Sequence, residues 1–403
     1  MDTEIPMADT HANADIITRD AFLPFFRPDI GDAEIEAVTR VLRSGWVTYG
    51  PQVREFGQAC ADYLGVPHAV PVASCSSGLF LALKAMGVGP GDEVVLPAMT
   101  FVSTLSSVMH CGARPVLVDM DPANLGLDPA AFARAVTDRT KAVIPVHIAG
   151  HPCRIKEIIT VAQAHGIKVI EDAAHSFGAE VEGAKIGGFG DATVFSFYAT
   201  KCITTGDGGL VTTRDAALAD RMNLLSFHGM DGNAWQRYGD KGRWYYEVVE
   251  VGYKFHLGDP AAALGMVQLG RADEFQRRRT AIVGRFNAAF AGLSGITTPQ
   301  MASWATHAWH LYVLRVDRDI FCGGRDGLIE DLAANKIGSS VHFIPLHHHP
   351  AFRELGAEFA ADLAETDRYY DQAVSLPLFP AMSDADVDDV IAVVSESVRR
   401  RTR

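Results

Sequence analysis

The sequence lacks paired cysteines. Its six (Cys60, Cys75, Cys111, Cys153, Cys202 and Cys322) are scattered and contain no CxxC. That excludes a disulfide scaffold or a zinc ribbon and fits a reducing cytoplasm. Long apolar runs are missing too: none approaches the roughly 20 residues a bilayer crossing needs. The N-terminus, "MDTEIPMADTHANADIITRD", is acidic and has no apolar core, so it does not read as a secretion signal. Residues 1–20 are expected to form a disordered polar leader. Positive charge is scarce. The net charge of −13 opposes a general nucleic-acid role, and the basic stretches "QRRRT" (276–280) and "VRRRTR" (398–403) read as solvated helix ends. There is no internal repeat and no low-complexity linker.

What remains is a folded enzyme-sized chain. Its 403 residues, 48% apolar and 21% charged, suggest two domains. From about residue 67 to 213, short β-branched runs recur: "HAVPVAS", "EVVLPA", "RPVLVDM", "KAVIPVH", "IKVIEDAA", "ATVFSF" and "GLVTT". Most of the intervals, such as 76–87 and 154–165, are long enough for helices. Strands alternating with helices imply an α/β domain with a mostly parallel sheet covered on both faces. Such sheets bind ligands beyond the carboxyl ends of their strands. After about residue 270 the pattern changes to a smaller α+β unit. It reads as a long helix over 270–293, a strand over 307–316, a helix over 325–336, an extended segment over 337–345 and a terminal helix over 384–401. The expected units are 21–265, including the N-terminal segment, and 266–403.

The residues that follow the strands carry the chemistry. "KVIED" ends on Asp172, a carboxylate that is costly to bury without a positive partner and equally suited to capping a helix. "ATVFSF" delivers Ser196 and then Lys201, a lysine on a loop that turns back through "GDGG" (206–209). "VASCSSGLFLALKAMG" is strand, small-residue turn, helix. Its Ser76 and Ser77 suit either a phosphate at a helix N-terminus or an ordinary N-cap. Together these parts ask for a ligand with a phosphate, a cationic ring nitrogen and an aldehyde. Pyridoxal 5'-phosphate has all three, bound through a lysine Schiff base with an acid against its pyridinium. Lys201 would then serve as nucleophile and as proton-shuttling base.

The stretches "SGWVTYGPQVREF" (44–56), "GPGDEVVLPAMTFVSTLSSV" (89–108), "VIEDAAHSFGA" (169–179), "FSFYATKCITTGDGGL" (195–210) and "VGYKFHLGD" (251–259) resemble the DegT-type nucleotide-sugar aminotransferases. The likeness runs from about residue 21 to the end. It implies a fold type I pyridoxal-phosphate transferase acting as a homodimer with shared active sites. It also implies a nucleotide-linked keto sugar as amino acceptor, with L-glutamate leaving as 2-oxoglutarate. "SGWVTYGP", "MTFVSTL", "VIPVHIAG" and "HAWHL" look most like members that form UDP-4-amino-4-deoxy-L-arabinose, which points to amination at C4 for cell-envelope or antibiotic glycans. By position, the resemblance makes Lys201 the Schiff-base lysine and Asp172 the pyridinium partner. It sets His175 against the ring's phenolic oxygen, Ser196, Ser76 and Ser77 at the phosphate, and Phe101 on the ring face. His256 departs from the family, which usually has Asn there reaching the neighbouring subunit's phosphate. A sugar dehydratase of the same fold is opposed by Lys201, since family dehydratases carry histidine there. A non-catalytic cofactor-binding regulator is opposed by the absence of any attached DNA-binding module.

Four further residues are candidate substrate contacts: Trp46, Tyr49, His310 and His347. His310, on the expected strand, fits a core histidine as well as a contact. In "HFIPLHHHP" (342–350) a strand would send neighbouring histidines to opposite faces, so no metal site is expected.

Overall fold

The computed structural model describes residues 19–230, 245–359 and 362–402. The expected leader lies outside these residues, apart from Arg19 and Asp20. Among the described residues the strands run, in chain order, β1 (His68–Val72), β2 (Glu93–Pro97), β3 (Arg114–Val118), β4 (Thr140–Val143), β5 (Lys168–Asp172), β6 (Glu180–Val181), β7 (Ala184–Lys185), β8 (Ala192–Ser196), β9 (Gly209–Thr213), β10 (Ile296–Thr297), β11 (Ala305–Thr306), β12 (Tyr312–Val316) and β13 (Ala373–Leu376). One seven-stranded sheet has the order β1-β9-β8-β5-β4-β2-β3, and only β9 runs against the others. All seven runs singled out in the sequence become its strands.

The sheet is buried on both faces because its residues alternate between two apolar clusters. Val94, Leu96, Ile170 and Val194 join one, and Val95, Val169 and Phe195 the other. Each such side chain contributes about 1.5–3 kcal/mol by leaving water. The helix Cys75–Ala85 lies directly on the sheet. Its Gly78 is required by that approach, since a Cβ there would come 2.7 Å from Val194 Cγ1. Ser74 starts this helix by accepting from Ser77 N at 3.1 Å.

The smaller unit packs β10, β12 and β13 with the helices Ala272–Phe290, Gly324–Ala334 and Asp384–Arg401, in a core containing Phe286, Phe290, Tyr312, Leu328 and Val390. The helix expected over 270–293 is Ala272–Phe290, preceded by a separate helix, Asp259–Gly270. Two sequence expectations are corrected here. The N-terminal segment joins the smaller unit: Leu23 bridges Ile337 and sits in its core, while Arg19 pairs with Asp386 at 2.7 Å and also with Asp389. The strand expected over 307–316 begins only at Tyr312, so His310 precedes it.

Candidate active site

A cavity of about 430 Å³ opens at the carboxyl edge of the sheet, where β5 and β8 end side by side. Asp172 is the last residue of β5 and Ser196 the last of β8, and both line the cavity with Lys201. The loop that carries Lys201 is pinned at its base. Phe197 N donates to Gly208 O at 2.9 Å, Thr205 N donates to Phe197 O at 2.9 Å, and Thr204 Oγ1 donates to the same carbonyl at 3.0 Å. Lys201 N donates to Tyr198 O at 2.9 Å, closing the turn on which the side chain stands. Gly209 is also required by packing: a Cβ there would lie 2.7 Å from Cys75 N.

The electrostatics follow from burial. Burial depresses the Lys201 amine below its ordinary range, against the pull of Asp172, which favours the neutral nucleophilic form. Burial also raises the Asp172 carboxyl, although Thr104 Oγ1 at 2.7 Å and Ala174 N at 3.1 Å both donate to it. A cation brought against Asp172 restores its ionised form. His175 Nδ1 accepts from Ala149 N at 3.3 Å, which assigns the ring proton to Nε2. Burial holds His175 well below the usual histidine range, so it is a neutral donor. Cys75 and Cys202, which flank this group, are buried, and burial pushes both thiols up. They are packing residues rather than nucleophiles.

These residues fit pyridoxal phosphate. The helix Cys75–Ala85 leaves the first-turn N–H groups of Cys75 and Ser76 without intrahelical partners, at the positive end of its dipole. Ser76 and Ser196 line the cavity beside them, and Phe101 adds an aromatic face that is 54% exposed. Ser77 does not line the cavity: its hydroxyl donates to Ser74 O at 2.8 Å and serves the helix cap. Such a donor set would suit a phosphate together with a cationic ring nitrogen and an aldehyde.

Residues 28–395 match the DegT/DnrJ/EryC1/StrS aminotransferase family. The chain belongs to this family. It is similar to the spore coat polysaccharide biosynthesis protein SpsC of Bacillus subtilis, with 48% identity covering 94% of this chain and 98% of that protein. Among solved structures it is similar to the putative sugar aminotransferase Spr1654 of Streptococcus pneumoniae in its PMP form, at TM-score 0.88 and 33% identity over 94% of this chain and 99% of that one. The same protein in its PLP form matches at TM-score 0.87 and 32% identity, over 94% of this chain and 99% of that one. PseC of Helicobacter pylori, an aminotransferase involved in the biosynthesis of pseudoaminic acid, matches at TM-score 0.86 and 26% identity over 94% of this chain and all of PseC. This family member is therefore a pyridoxal-phosphate-dependent sugar aminotransferase.

The remaining candidates separate. His310 lines the cavity, buried, with its ring centroid 4.4 Å from that of His175. Trp46, Tyr49, His256 and His347 do not line the cavity of their own chain. Trp46 Nε1 donates to Tyr49 O at 3.1 Å. His256 packs 5.7 Å from the Tyr49 ring and 4.9 Å from that of Phe227, and Thr48 Oγ1 lies 3.5 Å from its Nε2. Burial, aided by Lys254 and His228, pushes His256 down to about 4. The histidine run is not a strand: Leu346–His348 is one turn of 3-10 helix. That turn brings His347 Nε2 and His348 Nε2 to the same oxygen of Asp367, at 2.8 and 3.0 Å. The alternation argument against convergence therefore does not hold for these two.

Sequence reasoning missed Thr104, His342 and Phe343. Thr104 orients Asp172, and the other two line the cavity, Phe343 packing its ring 5.7 Å from Phe101 and 5.7 Å from His175. "HFIPLHHHP" contained the signal, but the first histidine of the stretch, not the sixth residue, faces the cavity.

Proposed function

We propose that this enzyme transfers the amino group of L-glutamate to C4 of a nucleotide-linked 4-keto sugar, with UDP as the nucleotide, in the cytoplasm and as a homodimer with shared active sites. The observation that carries it is the meeting of Lys201, Asp172 and the N-terminus of the helix Cys75–Ala85 in one cavity. When bound, pyridoxal phosphate supplies an electron sink for a carbanion next to the transferred nitrogen. The chain supplies the rest. The first-turn N–H groups of the helix, with Ser76 and Ser196, would hold the phosphate. Asp172, oriented by Thr104, would pair with the ring nitrogen, and His175, with its proton on Nε2, would supply a neutral donor to the ring. Lys201 would be the amine that holds the cofactor through its aldehyde. The Lys201 Nζ would also serve as the base that moves a proton within the cavity in each half of the reaction. His256, Trp46 and Tyr49, which do not line their own chain's cavity, are assigned to the partner's site.

The polysaccharide and amino-sugar names of SpsC and PseC support a sugar acceptor destined for surface glycans. The test is the visible absorbance of the purified protein. L-glutamate should bleach the bound cofactor's band, and a UDP-4-keto sugar should restore it. Bleaching with restoration only by 3-keto sugars would overturn the C4 assignment. A band indifferent to glutamate would overturn the donor.

A further inference from the structure

A second cavity, of about 190 Å³, lies between the loop residues around Leu125 and Ala149 and the β12 side of the smaller unit. Leu311 lines both cavities. None of the residues lining the second cavity is acidic, yet it gathers donors. Arg315 shares one face of β12 with Val313, and its half-buried guanidinium makes no hydrogen bond or ion pair with any described residue. Tyr369, on the helix Ala364–Gln372, is 4% exposed, and its hydroxyl also has no partner among the described residues. His307 Nδ1 accepts from Trp309 N at 2.8 Å, so its proton sits on Nε2.

A buried hydroxyl without a partner and a half-buried unpaired guanidinium are each costly, and here they line one concavity. Arg and Tyr side chains with an imidazole N–H are the donor set of an oxyanion site. We propose that this cavity binds a small oxyanion, a phosphate or a carboxylate, through Arg315 and Tyr369, separately from the catalytic cavity. Its occupant would lie against the turn at Ala149, whose N–H donates to His175 and whose carbonyl accepts from Leu311 N at 3.1 Å. The new site is thus one residue away from a group assigned to the cofactor.

The test uses the pyridoxal-phosphate-loaded enzyme in phosphate-free buffer, titrated in a calorimeter with inorganic phosphate and, separately, with succinate. Tryptophan fluorescence is followed in parallel, since Trp309 stacks on His307 with ring centroids 3.8 Å apart. Saturable binding of either anion is expected. Affinity should fall about tenfold in Arg315→Gln, the roughly 1.4 kcal/mol of one charge-assisted bond, and a few-fold in Tyr369→Phe. The cofactor's visible spectrum should be unchanged in both variants. Which anion binds identifies the source as phosphate or carboxylate. No saturable binding of either, or unchanged affinity in Tyr369→Phe and Arg315→Gln alike, would overturn the proposal. Tyr369→Phe keeps the ring and the fold, so the question stays open to test if Arg315→Gln fails to fold.

Discussion

Glu171 and Asp172 are neighbours on β5, yet they face opposite sides of the sheet. Glu171 is fully buried and surrounded by donors: Gly190 N at 2.9 Å, Thr193 Oγ1 at 2.6 Å and His147 Nε2 at 3.0 Å. His147 in turn accepts from Cys153 N at 3.1 Å, so the carboxylate ties three segments of the core together. Among the described residues Asp172 receives two donors, and it lines a cavity that holds a lysine. The same functional group on adjacent residues is in one case a brace and in the other the proposed reagent. What separates them is the number of donors each environment supplies, not their chemistry.

The largest expected effect tests the reagent side. Lys201→Ala should cut transamination on the order of a thousandfold or more while leaving the circular dichroism unchanged, since it removes nucleophile and proton shuttle together. Full activity in that variant would remove the lysine from the mechanism. Next, Asp172→Asn should weaken cofactor binding and slow turnover by about a hundredfold without lowering the unfolding midpoint, measured by cofactor titration and denaturant melts. Glu171→Gln should do the reverse. It should cost about 1–3 kcal/mol of stability by mismatching a buried acceptor, with the cofactor spectrum and KM retained. If Glu171→Gln abolished activity in a fully stable protein, the division between brace and reagent would be wrong.

Thr104→Val removes one donor to Asp172 and keeps the volume. A roughly tenfold loss of cofactor affinity is expected, the equivalent of one hydrogen bond to a charged group. The smallest effect is on stability against pH. His342 is pushed down to about 4 by burial, with Lys201 adding, and His256 likewise to about 4. Both take protons more readily when unfolded, so acid favours the unfolded chain. Their contribution is intact above about pH 6.5 and declines as the pH falls toward 4. His342→Asn should flatten that part of a melting-temperature profile, and an unchanged slope would show that His342 is not the group responsible.

Much of the fold was legible in the chain because it rests on local pattern. The seven strands announce themselves as β-branched runs between turn residues, and their continuous apolarity implies burial on both faces. That Lys201, Asp172, Ser76 and Ser196 line one cavity was legible because strand ends in such a sheet are where ligands bind. Less was visible where a role depends on a partner distant in sequence. Ser77 looks like a phosphate ligand until Ser74 is seen to occupy its hydroxyl. Thr104 is an ordinary helix residue until the fold sets it 2.7 Å from a carboxylate 68 residues on.

The sequence alone therefore determined the α/β architecture and the family, since period, turn chemistry and motif order are properties of neighbouring residues. Only the tertiary structure decided that Leu23 and Arg19 belong with the C-terminal unit. It alone decided that His342 rather than His347 reaches the catalytic cavity, and that Arg315 and Tyr369 share a second one. Those outcomes depend on which elements pack together, and the free energy of that packing is summed over contacts between residues hundreds of positions apart.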